Sequence, residues 1–259
     1  MNTQEMMSKQ IIVEDLILQY YVRQSNSKKS QVLVFLHGWR SCSQTWFPFI
    51  ETFSNLYTII CLDLPGFGKS QSPNMAFALL DYATVVKAFL HKLEISSCIL
   101  VGHSFGGAIG IKLVSTNTSK VSKLILIDAS GIRKKKLILK IIKIIATISK
   151  PLFNLKLLHS LKKNIYQKYG WDDYLATPQL KETYLKIINE DVTELLHLIK
   201  VPTLLLWGDK DMDTPLSHAH LMKQRISNSD LKILENAGHF SFLDKSKETS
   251  QYILDFINK

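Results

Sequence analysis

The sequence VGHSFGG at residues 101–107 decides the fold prediction for this chain. It joins an apolar run to a helix-compatible run that begins at Gly106, and it contains the pattern G-x-S-x-G. In that pattern, a tight turn from strand to helix holds the serine side chain clear of the sheet. Glycines two residues before and two residues after Ser104 let the backbone pass without a clash. The N–H groups that begin the helix also favour negative charge at the serine. Ser104 is therefore a candidate nucleophile, and the alternative interpretation is a plain glycine-rich turn.

Apolar runs on both sides of this turn predict a mostly parallel sheet. Continuous apolar runs are typical of strands covered on both faces, and they lie at 32–36, 58–62, 98–101, 124–127 and 203–207. A hairpin is predicted at 11–13 and 16–22, and a short strand at 231–234. Helical spacing is found at 45–53, 75–93, 106–115 and 247–257. Strands that alternate with helices predict βαβ units and a doubly wound α/β sheet.

The alternation of strands and helices is interrupted between residues 131 and 199. No strand is evident there, and helices are predicted at about 133–149, 151–168, 178–188 and 191–199. The chain length of 259 residues suits one large α/β domain that carries a smaller insert. We therefore predict a core formed by residues 1–130 and 200–259, with residues 131–199 as a helical cap insert.

The positive charge of the chain is concentrated in this insert. The formal net charge is +10, and residues 129–171 hold eleven of the 32 Lys and Arg residues and no Asp or Glu. Within residues 133–150, one helical face carries Lys136, Lys140, Lys143 and Lys150, opposite a wide aliphatic face. One interpretation is a cap helix packed on the core with solvated lysines. The other is a helix that also rests on an anionic membrane. No nucleic-acid partner is expected, because no reader motif accompanies the charge.

A serine hydroxyl needs a neighbouring base to act as a nucleophile. The sequence AGHF at residues 237–240 follows the last predicted strand and contains His239. In sites with this type of serine turn, the serine comes first along the chain, the acid second and the histidine last. His239 lies late enough in the chain to be that histidine. The alternative is an ordinary loop histidine. His37 and His103 are expected to shape the turns in which they lie.

The acid of such a site must orient the imidazole and stabilise its cation. The sequence WGDKDMDTP at residues 207–215 follows an apolar run and offers Asp209, Asp211 and Asp213. Asp128 ends another apolar run and is a fourth candidate. Position in the sequence leaves the choice open.

A tetrahedral intermediate needs two N–H donors at its negatively charged oxygen. The backbone N–H of Phe105, directly after the candidate nucleophile, is one expected donor. The other is expected in the loop after the run 32–36, where Gly38 allows a close turn and the N–H of Trp39 follows it.

Five motifs together resemble the α/β-hydrolase fold superfamily. They are HGW (37–39), DLPGFGKS (63–70), GHSFGG (102–107), GDKD (208–211) and GH (238–239), in the usual order of that superfamily. The resemblance implies an eight-stranded, mostly parallel core with a helical cap after the sixth strand. It also implies that the acid is Asp211, with Asp213 and Asp209 as alternates.

The superfamily hosts many reactions, so the fold alone does not choose the reaction. Ser104 argues against dehalogenases and epoxide hydrolases, which have Asp at this turn. The resemblance implies an esterase- or lipase-like serine hydrolase, and the aliphatic insert favours a lipophilic acyl substrate. One alternative is a carbon–carbon bond hydrolase of vinylogous diketones, which His103 in place of Asn weakens. Another is a small-molecule receptor that retains the triad.

The sequence also bears on cofactors and location. No spacing typical of metal ligands is evident, so no metal and no other cofactor is expected. The N-terminus is polar, and no run reaches the roughly 20 apolar residues that span a bilayer. We therefore expect a cytoplasmic protein, membrane-peripheral if the basic segment contacts lipid.

Overall fold

A computed structural model describes residues 5–27, 30–53, 57–116, 120–133 and 177–259. Eight strands of this part of the chain, β1 to β8 in chain order, are Met7–Val13, Leu16–Arg23, Val32–Leu36, Thr58–Leu62, Cys98–His103, Val121–Ile127, Thr203–Gly208 and Ser229–Leu234. They form one sheet in the order β1-β2-β4-β3-β5-β6-β7-β8. β1 pairs with β2 and β2 with β4 in antiparallel fashion, and the other neighbours are parallel. The prediction of an eight-stranded, mostly parallel α/β sheet is confirmed.

Helices cover both faces of the sheet. In chain order, α1 to α7 are Phe47–Ile50, Leu79–Lys92, Phe105–Val114, Lys181–Asn189, Leu216–Arg225, Ser241–Asp244 and Ser246–Ile257. Short 3-10 helices lie at Ser43–Trp46, Pro178–Leu180 and Thr193–Leu198. Along β5, Leu100 belongs to the apolar core shared with α2, α3 and α5, and Val101 to the core shared with α1 and α7. Successive side chains of one strand thus enter opposite cores, which explains the continuous apolar runs.

The helix predicted at 45–53 is shorter and less regular than expected. A 3-10 helix starts at Ser43, whose N–H donates to the carboxylate of Asp63 at 2.7 Å. The following α1 ends at Ile50, where Arg23 donates to the carbonyl oxygens of Ile50 and Phe53 at 3.0 and 2.9 Å. These partners come from distant strands, so helical spacing did not reveal them.

The helix predicted at 75–93 begins only at Leu79. The carboxylate of Asp81 accepts the N–H of Ala78 at 2.7 Å, which caps the helix at that point. The N–H of Phe77 donates to Thr183, and the N–H of Leu79 donates to Glu190. Hydrogen bonds to Thr183 and Glu190 of the predicted insert therefore fix the chain on both sides of the start of the helix.

Only part of the predicted insert belongs to the described residues. Residues 131–133 and 177–199 are described, including α4, while the predicted helices 133–149 and 151–168 lie outside the described residues except for Arg133. Arg133 donates to the carbonyl oxygens of Ile187 and Glu190 at 3.2 Å each. These bonds attach the C-terminal end of α4 to the chain where it leaves β6. The division into core and cap stays a prediction.

Within the described ranges, no helix combines the length and the apolar character that crossing a bilayer requires.

Candidate active site

Ser104 lies on the turn between β5 and α3, at the carboxyl edge of the sheet. Its φ of 50° and ψ of −112° are unusual for a residue with a side chain, as expected of a strained strand-to-helix turn. A Cβ on Gly102 would lie 2.6 Å from the carbonyl oxygen of Gly106. One on Gly106 would lie 2.3 Å from the carbonyl oxygen of Leu36. Both contacts involve backbone, so these positions require glycine.

The structure brings Ser104, His239 and Asp211 into one hydrogen-bonded series. Nε2 of His239 lies 3.0 Å from Oγ of Ser104, and Nδ1 of His239 lies 2.8 Å from Oδ2 of Asp211. Because a carboxylate only accepts, the Nδ1–H donates to it and Nε2 presents its lone pair to the serine hydroxyl. This arrangement suits transfer of a proton from serine to imidazole.

The loop after β7 holds the Asp211 carboxylate in place. Oδ1 accepts the N–H groups of Asp213 and Thr214 at 2.8 and 2.9 Å, and Oδ2 accepts the Thr214 hydroxyl at 2.6 Å. Burial raises the pKa of Asp211, but the hydrogen bond and charge of His239 and the donors of Thr214 outweigh burial. The pKa therefore lies below its ordinary 3.8, and the carboxylate is ionised at neutral pH.

The other candidate acids have different partners. Asp209 accepts the N–H of Ala237 at 3.3 Å, and Asp213 is exposed. Asp128 is buried and accepts hydrogen bonds from Gly208 and Ser241. Among the aspartates considered from the sequence, Asp211 is the one hydrogen-bonded to the imidazole of His239.

The environment of His239 favours its protonated form. Burial alone lowers the pKa of His239, but the hydrogen bond and negative charge of Asp211 outweigh burial. The pKa of His239 therefore lies above its ordinary 6.5. A base with such a pKa accepts a proton readily and still returns it near neutral pH.

The two predicted backbone donors belong to segments that contact each other at this turn. Phe105 is the first residue of α3, and Trp39 follows β3. The N–H of Gly106 donates to the carbonyl oxygen of His37 at 3.1 Å, which joins the two loops. No residue in the described ranges accepts a hydrogen bond from the N–H of Trp39 or of Phe105. Neither N–H group is therefore engaged within the described part of the chain.

Aromatic side chains form one wall beside this turn. The ring of Trp39 lies 5.2 Å from that of Phe105, 4.9 Å from that of Phe67 and 5.2 Å from that of Tyr184, between ring centroids. Tyr184 belongs to α4, so the predicted insert contributes to the wall. The wall is mostly buried, and it adjoins Ser104 through Phe105, the next residue in the chain.

Three polar residues with contacts to the site were not assigned to it from the sequence. His103 donates from Nε2 to the carbonyl oxygen of His239, and Thr214 donates to Asp211. Asp128 was considered only as an acid, yet it binds the loop after His239 through Ser241. Thr214 had a local signal, because Asp followed by a hydroxyl residue within three positions favours a side-chain-stabilised turn. The other two contacts join residues more than a hundred positions apart.

Aspartate and histidine side chains that lie close together can also bind a metal ion. In the described part of the chain, one group of potential ligands lies close together, namely Asp211, Asp213 and His239. The Asp211 oxygens already accept three donors from the loop besides that of His239. Nδ1 of His239 must carry a proton to donate, whereas a metal ligand needs its lone pair. The donor set fits a proton-transfer site better than a metal site.

Comparison with known proteins shows the family to which this chain belongs. Residues 31–246 match the family model of the alpha/beta hydrolase fold. The AB hydrolase superfamily protein YisY of Bacillus subtilis is 28% identical over 258 residues, covering 87% of this chain and 91% of the relative. Monoacylglycerol lipase ABHD6 of Mus musculus is 26% identical over 270 residues, covering 94% and 80%. The solved esterase EaEST of Exiguobacterium antarcticum, 22% identical, has a TM-score of 0.76 and covers 98% of this chain and 100% of its own. The chain therefore belongs to the alpha/beta hydrolase fold family, as its motifs predicted.

Proposed function

We propose that this protein is a serine hydrolase that cleaves carboxylic esters of a lipophilic acyl substrate. The observation that carries the proposal is the continuous series of hydrogen bonds from Ser104 through His239 to Asp211. A serine hydroxyl becomes a useful nucleophile when an oriented imidazole accepts its proton. In this proposal Ser104 is the nucleophile, His239 the base and Asp211 the acid that orients it.

The reaction proceeds in two halves. Oγ of Ser104 attacks the ester carbonyl carbon while Nε2 of His239 takes the hydroxyl proton, and a tetrahedral intermediate forms. The N–H groups of Trp39 and Phe105 donate to its negatively charged oxygen. The bond to the alcohol oxygen breaks as His239 returns the proton to it, which leaves an acyl group on Ser104.

Water completes the cycle by the same route. His239 takes a proton from water as the water oxygen attacks the acyl carbon. The bond to Oγ then breaks, Ser104 regains the proton from His239, and the carboxylic acid is released. Asp211 stays ionised throughout and stabilises the imidazolium that forms twice. No cofactor takes part in these steps.

A lipophilic acyl substrate is supported by two further observations. The wall of Trp39, Phe67, Phe105 and Tyr184 is aromatic and includes the residue that directly follows the nucleophile. A relative that covers 94% of this chain bears the name monoacylglycerol lipase. Hydrophobic transfer favours aliphatic chains at such a wall by about 0.8 kcal/mol for each buried CH₂ group.

Labelling with a fluorophosphonate tests the proposal without a guess at the substrate. We expect a single modified peptide that carries the label on Ser104, and loss of labelling in Ser104→Ala. The same variant should lose at least about 10³-fold in the hydrolysis of short and medium p-nitrophenyl esters. Full esterase activity in Ser104→Ala would contradict the mechanism.

Two controls separate the alternative functions. Turnover of a vinylogous diketone with negligible ester turnover would favour carbon–carbon bond hydrolysis. Strong thermal stabilisation by a small molecule, with no product formed, would favour a receptor.

A further inference from the structure

We infer that His103 is a positioning residue for the base. It holds His239 in place through a hydrogen bond to the main-chain carbonyl oxygen of His239. The inference rests on the proposed function, in which His239 accepts the proton of Ser104. Nε2 of His103 lies 2.7 Å from the carbonyl oxygen of His239. Since a carbonyl oxygen only accepts, the hydrogen is on Nε2 of His103.

This hydrogen bond joins the turn that carries Ser104 to the loop that carries His239, and the reaction requires the two to be close together. His103 is the last residue of β5 and directly precedes Ser104. The residue before the nucleophile therefore fixes the peptide of the base, 136 positions further along the chain. The same loop thus has two bonds to this turn, one from the main chain of His239 to His103 at 2.7 Å and one from its imidazole to Ser104 at 3.0 Å.

His103 is placed to donate and to stay neutral. Its side chain is 2% exposed and packs among the rings of Trp46, Phe240 and Phe242. Burial, with the neighbouring charge of His239, lowers the pKa of His103 to about 3. A neutral ring matters here, because a second cation next to the His239 imidazolium would oppose the proton transfer.

Other bonds to the loop hold its flanks. Asp244 accepts the N–H of Gly238, and Asp128 accepts from Ser241. Within the described ranges, His103 is the group that bonds the main chain of His239. The imidazole rings of His103 and His239 also lie 4.9 Å apart, so ring contact and hydrogen bond restrict the same residue. A displacement of about 1 Å at a catalytic group can cost about 10²-fold in rate.

Two substitutions of His103 test this role: one keeps an N–H donor without the ring, and the other keeps a ring without the donor. His103→Gln keeps an N–H at a similar reach, because its Nε2 is as many bonds from the backbone as that of His. His103→Phe keeps the ring and removes the donor. We expect kcat for a p-nitrophenyl ester to fall between about tenfold and 10²-fold in the Phe variant, with KM within about threefold. The Gln variant should recover to within about fivefold of the wild type.

Phe242→Leu is the matched control. It loosens the packing around His103 and leaves the hydrogen bond to His239 intact. Its melting temperature should fall as much as that of His103→Phe or more, while its kcat stays within about threefold of the wild type. If His103→Phe does not fold, His103→Asn replaces it. The Asn amide is too short to reach the carbonyl, and we expect the same loss in kcat.

The outcomes distinguish the failure of this inference from the failure of the proposed function. If the wild type neither cleaves esters nor takes the fluorophosphonate label at Ser104, the proposed function fails. If the wild type does both, two results overturn the inference alone. One is that kcat falls no further in His103→Phe, or in His103→Asn where that variant replaces it, than in Phe242→Leu. The other is a Gln variant as impaired as the Phe or Asn variant.

Discussion

The carboxylate of Asp128 accepts hydrogen bonds from both the N–H and the hydroxyl of Ser241, at 3.1 and 2.6 Å, although 113 positions separate the two residues. Its other oxygen accepts the N–H of Gly208 at 2.9 Å. One buried side chain thus joins the end of β6, the end of β7 and the loop that follows His239. Burial raises the pKa of Asp128 to about 7, although the donors on Ser241 and Gly208 lower it in part.

We expect this carboxyl group to make stability depend on pH. Its pKa in the folded state, about 7, is above the ordinary value of 3.8, so the folded protein binds the proton more tightly than the unfolded chain does. The stability that it contributes is therefore fully present below about pH 4 and is lost as pH rises through about 7. Urea unfolding of the wild type and of Asp128→Asn at several pH values should show their difference changing in that window. A difference that is constant from about pH 4 to pH 8 would contradict this assignment.

The dependence of the rate on pH should follow His239. The imidazole must be neutral to accept the serine proton, so kcat/KM should rise with pH through an ionisation above the ordinary 6.5. In Asp211→Asn, burial becomes the dominant influence on His239, and the rise should move to lower pH. Profiles of residual ester hydrolysis in the two proteins check this, and a shift to higher pH in the variant would disprove the electrostatic role of Asp211.

Loss of the Asp211 carboxylate should also lower the rate itself. An amide carries no negative charge and presents N–H donors in place of one accepting oxygen, so the imidazole loses the stabilisation of its cation and the partner that fixes its tautomer. We expect kcat for Asp211→Asn to fall about 10³- to 10⁴-fold. Asp213→Asn is the matched control, since Asp213 is exposed and two positions away, and it should retain kcat within about threefold. Equal losses in both variants would argue against the choice of Asp211.

The turn that carries Ser104 should tolerate no added methyl group at Gly106. A Cβ there would lie 2.3 Å from a backbone oxygen of β3, which cannot move without breaking the sheet. Gly106→Ala should lose more than about 3 kcal/mol of unfolding free energy or fail to fold. Gly110→Ala, in the same helix, meets flexible leucine side chains at 3.1 Å. It should stay within about 1 kcal/mol of the wild type in thermal or urea unfolding, and similar losses in both variants would refute the argument.

If residues 133–150 form the membrane-facing helix that is one of the two interpretations of this segment, they should direct the protein to anionic lipid. Its predicted aliphatic and lysine-rich faces are typical of helices that lie on charged membranes. We expect cosedimentation with anionic vesicles at low salt and much less with neutral vesicles. Replacing Lys136, Lys140, Lys143 and Lys150 with Gln should abolish the difference. Equal recovery in the supernatant with both kinds of vesicle would reject membrane contact.

The sequence by itself determined the sheet and the turn at Ser104. Each interior strand was predicted from its own apolar run, because a strand with both faces buried has no polar position to interrupt the run. The turn was predicted from the spacing of Gly102 and Gly106, and a Cβ on Gly102 would meet the carbonyl oxygen of Gly106, four positions away, at 2.6 Å. The order of the motifs then predicted the family. These features are local, so adjacent residues carry enough information to specify them.

Only the tertiary structure decided which side chains meet. Asp209, Asp211 and Asp213 are alike in composition and position, and the loop bonds of Thr214 turn Asp211 toward His239. The start of α2 and the contacts of His103 and Asp128 likewise depend on partners that are distant in the chain. The periodicity of apolar residues indicates whether a segment is buried. The direction of one loop side chain, however, depends on how strands that are distant in the sequence pair in the sheet. That information arises only when the sheet assembles.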